Sequence, residues 1–223
     1  MLRSFFSCLF LVLAFGLMGQ QPTQQGLIKP KPDFSVHEIK VGFNAIRAGR
    51  TAFDSGLTTN ELEGILAFHQ WNLVLDVGTH SQTFGETYDY TNKGNYFRVG
   101  TDWNFVKDKP SGNVLSLGLR YARAGFEDEL RYTSDQGFGT SNYAYENTDL
   151  SARWGEVTFN LRGKVVSDLY MGFTMRWQFA RKINGEGVLE TYEIPGFGKT
   201  KRKNSTAFDY YIMWRLPFGL KEK

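Results

Sequence analysis

Large apolar or amphipathic residues occupy every even position from Phe208 to Phe218: Phe208, Tyr210, Ile212, Trp214, Leu216 and Phe218, with Asp209 and Arg215 at odd positions. A period of two predicts a strand with two chemically different faces. The same alternation recurs upstream. Ile39, Val41, Phe43 and Ala45 oppose Lys40, Gly42 and Asn44, and Leu62, Gly64, Leu66 and Phe68 oppose Glu61, Glu63 and His69. Leu73, Leu75 and Val77 oppose Asp76 and Gly78, and Phe97 to Phe105 alternates against Arg98, Gly100, Asp102 and Asn104. Leu115, Leu117, Leu119 and Tyr121 oppose Ser116, Gly118 and Arg120, and Val157, Phe159, Leu161 and Val165 oppose Glu156, Thr158, Asn160, Arg162 and Lys164. From Leu169 to Phe179 every odd residue is apolar, against Gly172, Thr174, Arg176 and Gln178. Eight such strands predict an all-β fold: an eight-stranded antiparallel transmembrane β-barrel with an up-and-down meander.

The connections support that topology. Longer links (49–60, 82–93, 126–153 and 184–204) alternate with short ones near Gln70, over 107–113 and at Ser167-Asp168. Outer-membrane barrels alternate short periplasmic turns with long external loops in this way. An even strand count then puts both termini in the periplasm. Leu169 to Phe179, at about 3.3 Å per residue and tilted, covers roughly 25 Å, the height of an apolar band. A soluble lipocalin-type barrel also alternates, but with its apolar face inward. Here the polar face mixes arginines with glycines, as a narrow lumen requires. Tyr96, Tyr121, Trp154 and Tyr170 near strand ends are expected to form interfacial girdles.

The N-terminus sets the compartment. Met1-Leu2-Arg3 precedes an uncharged apolar run from Phe5 to Leu17, which reads as a secretory signal peptide over residues 1–20. Residues 21–35, with Pro22, Pro30 and Pro32, read as an extended periplasmic leader, and 36–223 as the barrel. The one cysteine, Cys8, falls in the signal run, so no disulfide is expected in the mature chain. The formal charge of +3 comes without a basic stripe, and no nucleic-acid partner is expected.

The polar face supplies a lumen charge network: Lys40, Asp76, Arg98, Asp102, Arg120, Glu156, Arg162, Arg176, Asp209 and Arg215, with Lys164 as a further strand-borne cation. An ion path or proton relay is one reading. A salt-bridged plug is the other, because eight strands enclose only enough room for side chains. No catalytic, cofactor-binding or metal site is expected. His37 and His69 fall at the periplasmic end, and His80 and Ser81, as strand neighbours, point to opposite faces. No cluster has metal-ligand spacing.

Several phrases carry a resemblance: Tyr90 to Gly100, Leu117-Gly118-Leu119-Arg120-Tyr121, Trp154-Gly155-Glu156, Ile194-Pro195-Gly196-Phe197-Gly198 and the Tyr-rich closing strand. The chain resembles an uncharacterised family of outer-membrane barrels of OmpA/OmpX-like architecture. That resemblance implies a non-enzymatic barrel in the cell outer membrane, without cofactor, serving as an accessory subunit of an assembly or secretion complex. Its partners would be outer-membrane lipid and lipopolysaccharide, and machinery subunits or a surface lipoprotein. The alternatives are a stand-alone adhesin or envelope-stabilising barrel and a lipid A-modifying hydrolase. The third and fourth loops are expected to pack together as a cap and to bind partners through Tyr143, Tyr145, Tyr192, Ile194 and Phe197.

Overall fold

The computed structural model describes residues 36–106, 113–135 and 139–217. The expected signal peptide and leader, the turn residues 107–112 and Phe218 lie outside the described residues. The chain runs through β1 (Glu38–Asn44), α1 (Ala45–Phe53), β2 (Leu57–Ala67), β3 (Trp71–Phe84), β4 (Tyr88–Asn104), β5 (Val114–Asp135), β6 (Thr140–Val166), β7 (Leu169–Asn184), β8 (Glu193–Ile194), β9 (Gly198–Lys199) and β10 (Ser205–Leu216). Eight strands close a barrel in the order β1-β10-β7-β6-β5-β4-β3-β2, every neighbour antiparallel and consecutive apart from the β8–β9 insertion and the closing pair of first and last strands. β1 closes the ring, pairing Ile39 with Leu66 of β2 and with Leu216 of β10. The barrel's terminal end carries Glu38 and Leu216, and its loop end carries α1 and the β7–β10 connection.

The polarity of the wall is inverted relative to a soluble barrel. Leu62, Leu73, Leu75, Val77, Phe97, Val99, Leu117, Leu119, Phe159, Leu161, Phe173, Met175, Trp177 and Phe208 all face outward and are exposed. Their strand neighbours Glu61, Glu63, Asp76, Arg98, Asp102, Arg120, Glu156, Arg162, Arg176 and Asp209 face inward and are buried. The alternation visible in the sequence is thus apolar outside and charged inside. Toward the loop end the outward positions turn polar on each of β2 to β6: Asn60, Thr79, Asn95, Arg123 and Arg153. At the terminal end Trp71 stacks edge-on against Trp103, with ring centroids 4.6 Å apart, and Trp214 is also exposed. These tryptophans form the outward aromatic rim. Of the four residues expected to form girdles, only Tyr121 faces out; Tyr96, Trp154 and Tyr170 are buried. The parity of the flanking residues explains it, since each of these three sits on the polar side of its own alternation.

Two expected loops are mostly strand. The stretch 82–93 continues β3 to Phe84 and starts β4 at Tyr88. The stretch 126–153 is the upper part of a long antiparallel β5–β6 pair, β5 running to Asp135 and β6 starting at Thr140. Its alternation is obscured by a register shift between Phe126 and Asp128 and by exposure of both faces near the tip. Cross-strand pairs such as Tyr132–Tyr143 and Leu130–Tyr145 hold it in the ladder. The link after β1 contains the α1 helix, which the strand periodicity does not announce. Its cap is legible in hindsight: Asn44 Oδ1 accepts from Arg47 N at 3.2 Å, the N-cap bond that Asn favours.

Candidate functional site

The lumen is the part of this molecule richest in chemistry, and it is filled in three tiers. Toward the terminal end Ile65, Val74, Tyr170, Tyr211 and Met213 pack together as one cluster. Cross-strand glycines make room for large neighbours. Gly42 lies opposite Met213, Gly78 opposite Tyr96, Gly100 opposite Arg120 and Gly172 opposite Arg162. A Cβ at any of these four would collide with the opposing residue.

The middle tier is ionic. Arg98 donates to Glu61 at 2.6 Å and to Glu156 at 3.0 Å. Arg176 donates to Asp209 at 2.8 Å and to Glu156 at 3.2 Å, and lies 3.1 Å from Asp76. Glu61 also accepts from the hydroxyls of Tyr96 and Tyr211, and Glu156 from Trp154 Nε1 at 2.7 Å and Gln178 Nε2 at 2.9 Å. Arg47 of α1 reaches down to Glu61 at 3.1 Å and stands 3.6 Å from Asp209. Asn44 donates to both of these carboxylates, at 3.2 and 2.6 Å. Four carboxylates thus share three guanidiniums at the barrel's centre. Toward the terminal end, separate pairs join Arg162 to Glu63 at 2.5 Å and Arg120 to Asp102 at 2.6 Å. Buried charges of this density hold together only when their partners are in place.

The third tier comes from the β7–β10 connection, which folds into the barrel mouth. Ile194 and Phe197, at 0 % and 3 % exposure, pack with Tyr96, Ala122, Ala124, Phe126, Leu150, Ala152 and Trp154. The three alanines are inward positions of β5 and β6, and their small size opens the space that Ile194 and Phe197 fill. Phe197 meets Trp154 edge-on at 5.6 Å, and the Arg181 guanidinium lies over the Phe197 ring at 5.5 Å. The turn is a hydrogen-bonded anchor. Gly196 takes φ +81°, a left-handed conformation that favours glycine, and its carbonyl accepts from Arg98 and Gln178, each at 2.9 Å. A Cβ there would also strike the Tyr96 ring. Further out, Asn92 donates to the Glu193 carbonyl at 2.9 Å, Asn147 to the Leu189 carbonyl at 2.7 Å, and Tyr192 N to Tyr90 Oη at 3.2 Å. Burial raises the Glu193 carboxyl above its ordinary pKa, against the opposing pull of Arg50 and Lys199.

The structure brings nine of the ten expected network residues into the lumen. Arg215 is the exception. It lies at the terminal rim with its side chain 41 % exposed, paired with Asp168 at 2.6 Å, and that pairing lowers the Asp168 pKa. Lys164 is exposed at the same rim, and Lys40 meets Glu38 at 2.6 Å. The sequence reading missed Glu61 and Glu63 as network members, although their parity on β2 marks them, and it missed Arg47, which only the helix delivers. The expected partner surface needs correction: Ile194 and Phe197 are internal packing residues. Tyr143 is exposed and stacks on Tyr132, with Tyr145 alongside it at the hairpin, while Tyr192 is half-exposed against Phe84 and Tyr90. His80 points inward and Ser81 outward, so the two do not meet. His37 and His69 approach edge-on at 6.4 Å at the terminal end. Among the described residues, no group of three or more His, Cys, Asp or Glu is placed to hold a metal ion.

The chain is similar to CarO of Acinetobacter baumannii, known from a crystal structure, at 9 % identity and a TM-score of 0.40, over 79 % of this chain and 97 % of CarO. No curated protein matches it. Residues 1–221 match the family described as a domain of unknown function, DUF6048, and the chain belongs to that family.

Proposed function

We propose that this protein is an integral outer-membrane barrel with a permanently filled lumen, without catalysis of its own, whose work is done at its outer end. The observation that carries the reading is the inverted polarity. A contiguous apolar wall faces outward around every strand while carboxylates and guanidiniums fill the inside. Exposed apolar surface on that scale belongs against lipid or a partner, and closed barrels are the strand-built way to cross a bilayer. β1 and β10 both have their outer chain ends at the terminal rim, next to the exposed tryptophans, which suits periplasmic termini and loops that face outward.

The filled lumen argues against a pore. Each tier is closed by side chains: Met213 and Tyr170, then the arginine–carboxylate cluster, then Ile194 and Phe197. Purified protein should migrate at different apparent masses with and without boiling, and should give no sustained current in planar bilayers. Steady porin-like conductance would reject the plug, and recovery as a soluble periplasmic protein would reject the barrel's placement.

The accessory-subunit role rests on the β5–β6 hairpin, which rises beyond the apolar wall and carries the stacked Tyr132, Tyr143 and Tyr145, with Tyr143 exposed and the other two half-exposed. Exposed tyrosine clusters make strong protein contacts. Replacing Tyr143 and Tyr145 with Ala should release a co-purifying partner and leave the heat-dependent mobility unchanged. Retention of every partner would favour the stand-alone barrel.

A further inference from the structure

One outward cross-strand row is half apolar and half cationic. Direct register joins Leu62 to Val77, Val77 to Phe97, Phe97 to Arg123, Arg123 to Arg153, and Arg153 to Lys182. Like charges placed directly opposite each other on neighbouring strands destabilise a sheet unless something neutralises them. Here three stand side by side, all exposed, and among the described residues none of them enters an ion pair. Three strands at about 4.8 Å spacing put the outer two cations roughly 10 Å apart. Strand tilt makes the row climb by about 3 Å per strand, so its two halves lie at different heights. The apolar half and the row beneath it, where Val99 pairs with Tyr121, belong to the lipid-facing wall. The row above is short and polar, with Thr79, Asn95 and Gly125, and leaves a groove of about 580 Å³ bounded by Leu62, Phe97 and Arg123.

We propose that Arg123, Arg153 and Lys182 form a binding site for a bisphosphorylated membrane glycolipid of the outer leaflet, with one acyl chain lying in the groove beside Leu62 and Phe97. The inference rests on the membrane reading above. The chemistry is charge complementarity at an interface: two phosphates satisfy cations that the protein itself leaves unpaired, and guanidinium forks hold phosphate oxygens in pairs. The groove adjoins the cations at Arg123 and offers Leu62, Val77 and Phe97 along its apolar side, which a free anion would not need and a lipid does.

The test uses the full chain folded in neutral detergent, with bisphosphorylated lipid A as the probe and native mass spectrometry as the readout. The triple variant Arg123→Ala, Arg153→Ala, Lys182→Ala should bind lipid A at least tenfold more weakly than wild type, and Lys164→Ala at the other rim should bind unchanged. Inorganic phosphate should not compete at concentrations equal to the lipid. Because it loses a repulsive row, the triple variant should be as heat-stable as wild type without lipid, and only wild type should gain stability when lipid A is added. Equal binding by wild type and triple variant overturns the site, and full competition by phosphate overturns the lipid as its occupant. Insertion into phosphatidylcholine vesicles is measured in parallel. If wild type fails to insert, the membrane reading falls and takes this site with it. If it inserts but binds lipid A without regard to the three cations, this site alone is wrong.

Discussion

At the residue scale, the plug depends on a few side chains that the rest of the fold makes room for. Phe197 is enclosed by Trp154, the β5 and β6 alanines and the Arg181 guanidinium. Phe197→Ala removes a buried ring, a change worth about 3–5 kcal/mol in a core. The loss should fall on docking of the connection rather than on the barrel. Cleavage by protease between Asn184 and Ser205 should accelerate, with heat-dependent gel mobility retained. Glu193 gives that docking a pH dependence. Its carboxyl has a higher pKa docked than free, because burial penalises the charged form. Ionisation therefore opposes docking at neutral pH, and the penalty is relieved as pH falls through the raised value. Amide exchange over 192–198, corrected for the intrinsic pH effect, should slow on mild acidification, and Glu193→Gln should give the slow rate at all these pH values. Faster corrected exchange at mildly acidic pH would contradict the assignment.

At the scale of elements, barrel strands present an apolar outward face and a polar inward face one residue apart. Phe173 on β7 is exposed between Phe208 and Tyr210 of β10, whereas its neighbour Thr174 is buried and donates to Asn160 Oδ1 at 2.9 Å. Phe173→Arg places a charge in the apolar wall at a cost of roughly 2–4 kcal/mol near mid-membrane. Its yield of folded, heat-modifiable protein should drop, and that of Thr174→Ser should match wild type. Equal behaviour would mean that the faces are assigned wrongly. This division of faces was legible from sequence because a period of two survives wherever one side meets charge and the other does not. The eight strands and nine of the ten network residues follow from it. Legibility ended where the pattern has another cause. The β5–β6 extension has two exposed faces and so no hydrophobic alternation. The α1 helix is set by the Asn44 cap and by Arg47 reaching buried Glu61. Burial of Ile194 and Phe197 depends on Ala122, Ala124 and Ala152, which lie far away in sequence and look unremarkable by themselves.

At the scale of the whole molecule, the barrel is an inside-out globule whose inward cations meet inward carboxylates and whose large apolar side chains face outward. This arrangement explains why so many arginines occur in a chain with a formal charge of only +3: inward cations meet inward carboxylates on facing strands. It also leaves the β5–β6 hairpin and the row of Arg123, Arg153 and Lys182 as exposed features of the loop end. The most direct test is a nitroxide scan of single cysteines from Leu169 to Phe179, in mature protein without the signal run that carries Cys8, reconstituted into phosphatidylcholine vesicles. Collision rates are measured with oxygen, which concentrates in lipid, and with a water-soluble nickel chelate. The account predicts an oxygen signal of period two, high at Met171, Phe173, Met175 and Trp177 and low at Gly172, Thr174, Arg176 and Gln178, with little nickel access at either set. Strong nickel access at the odd positions, or oxygen access without alternation, would contradict it.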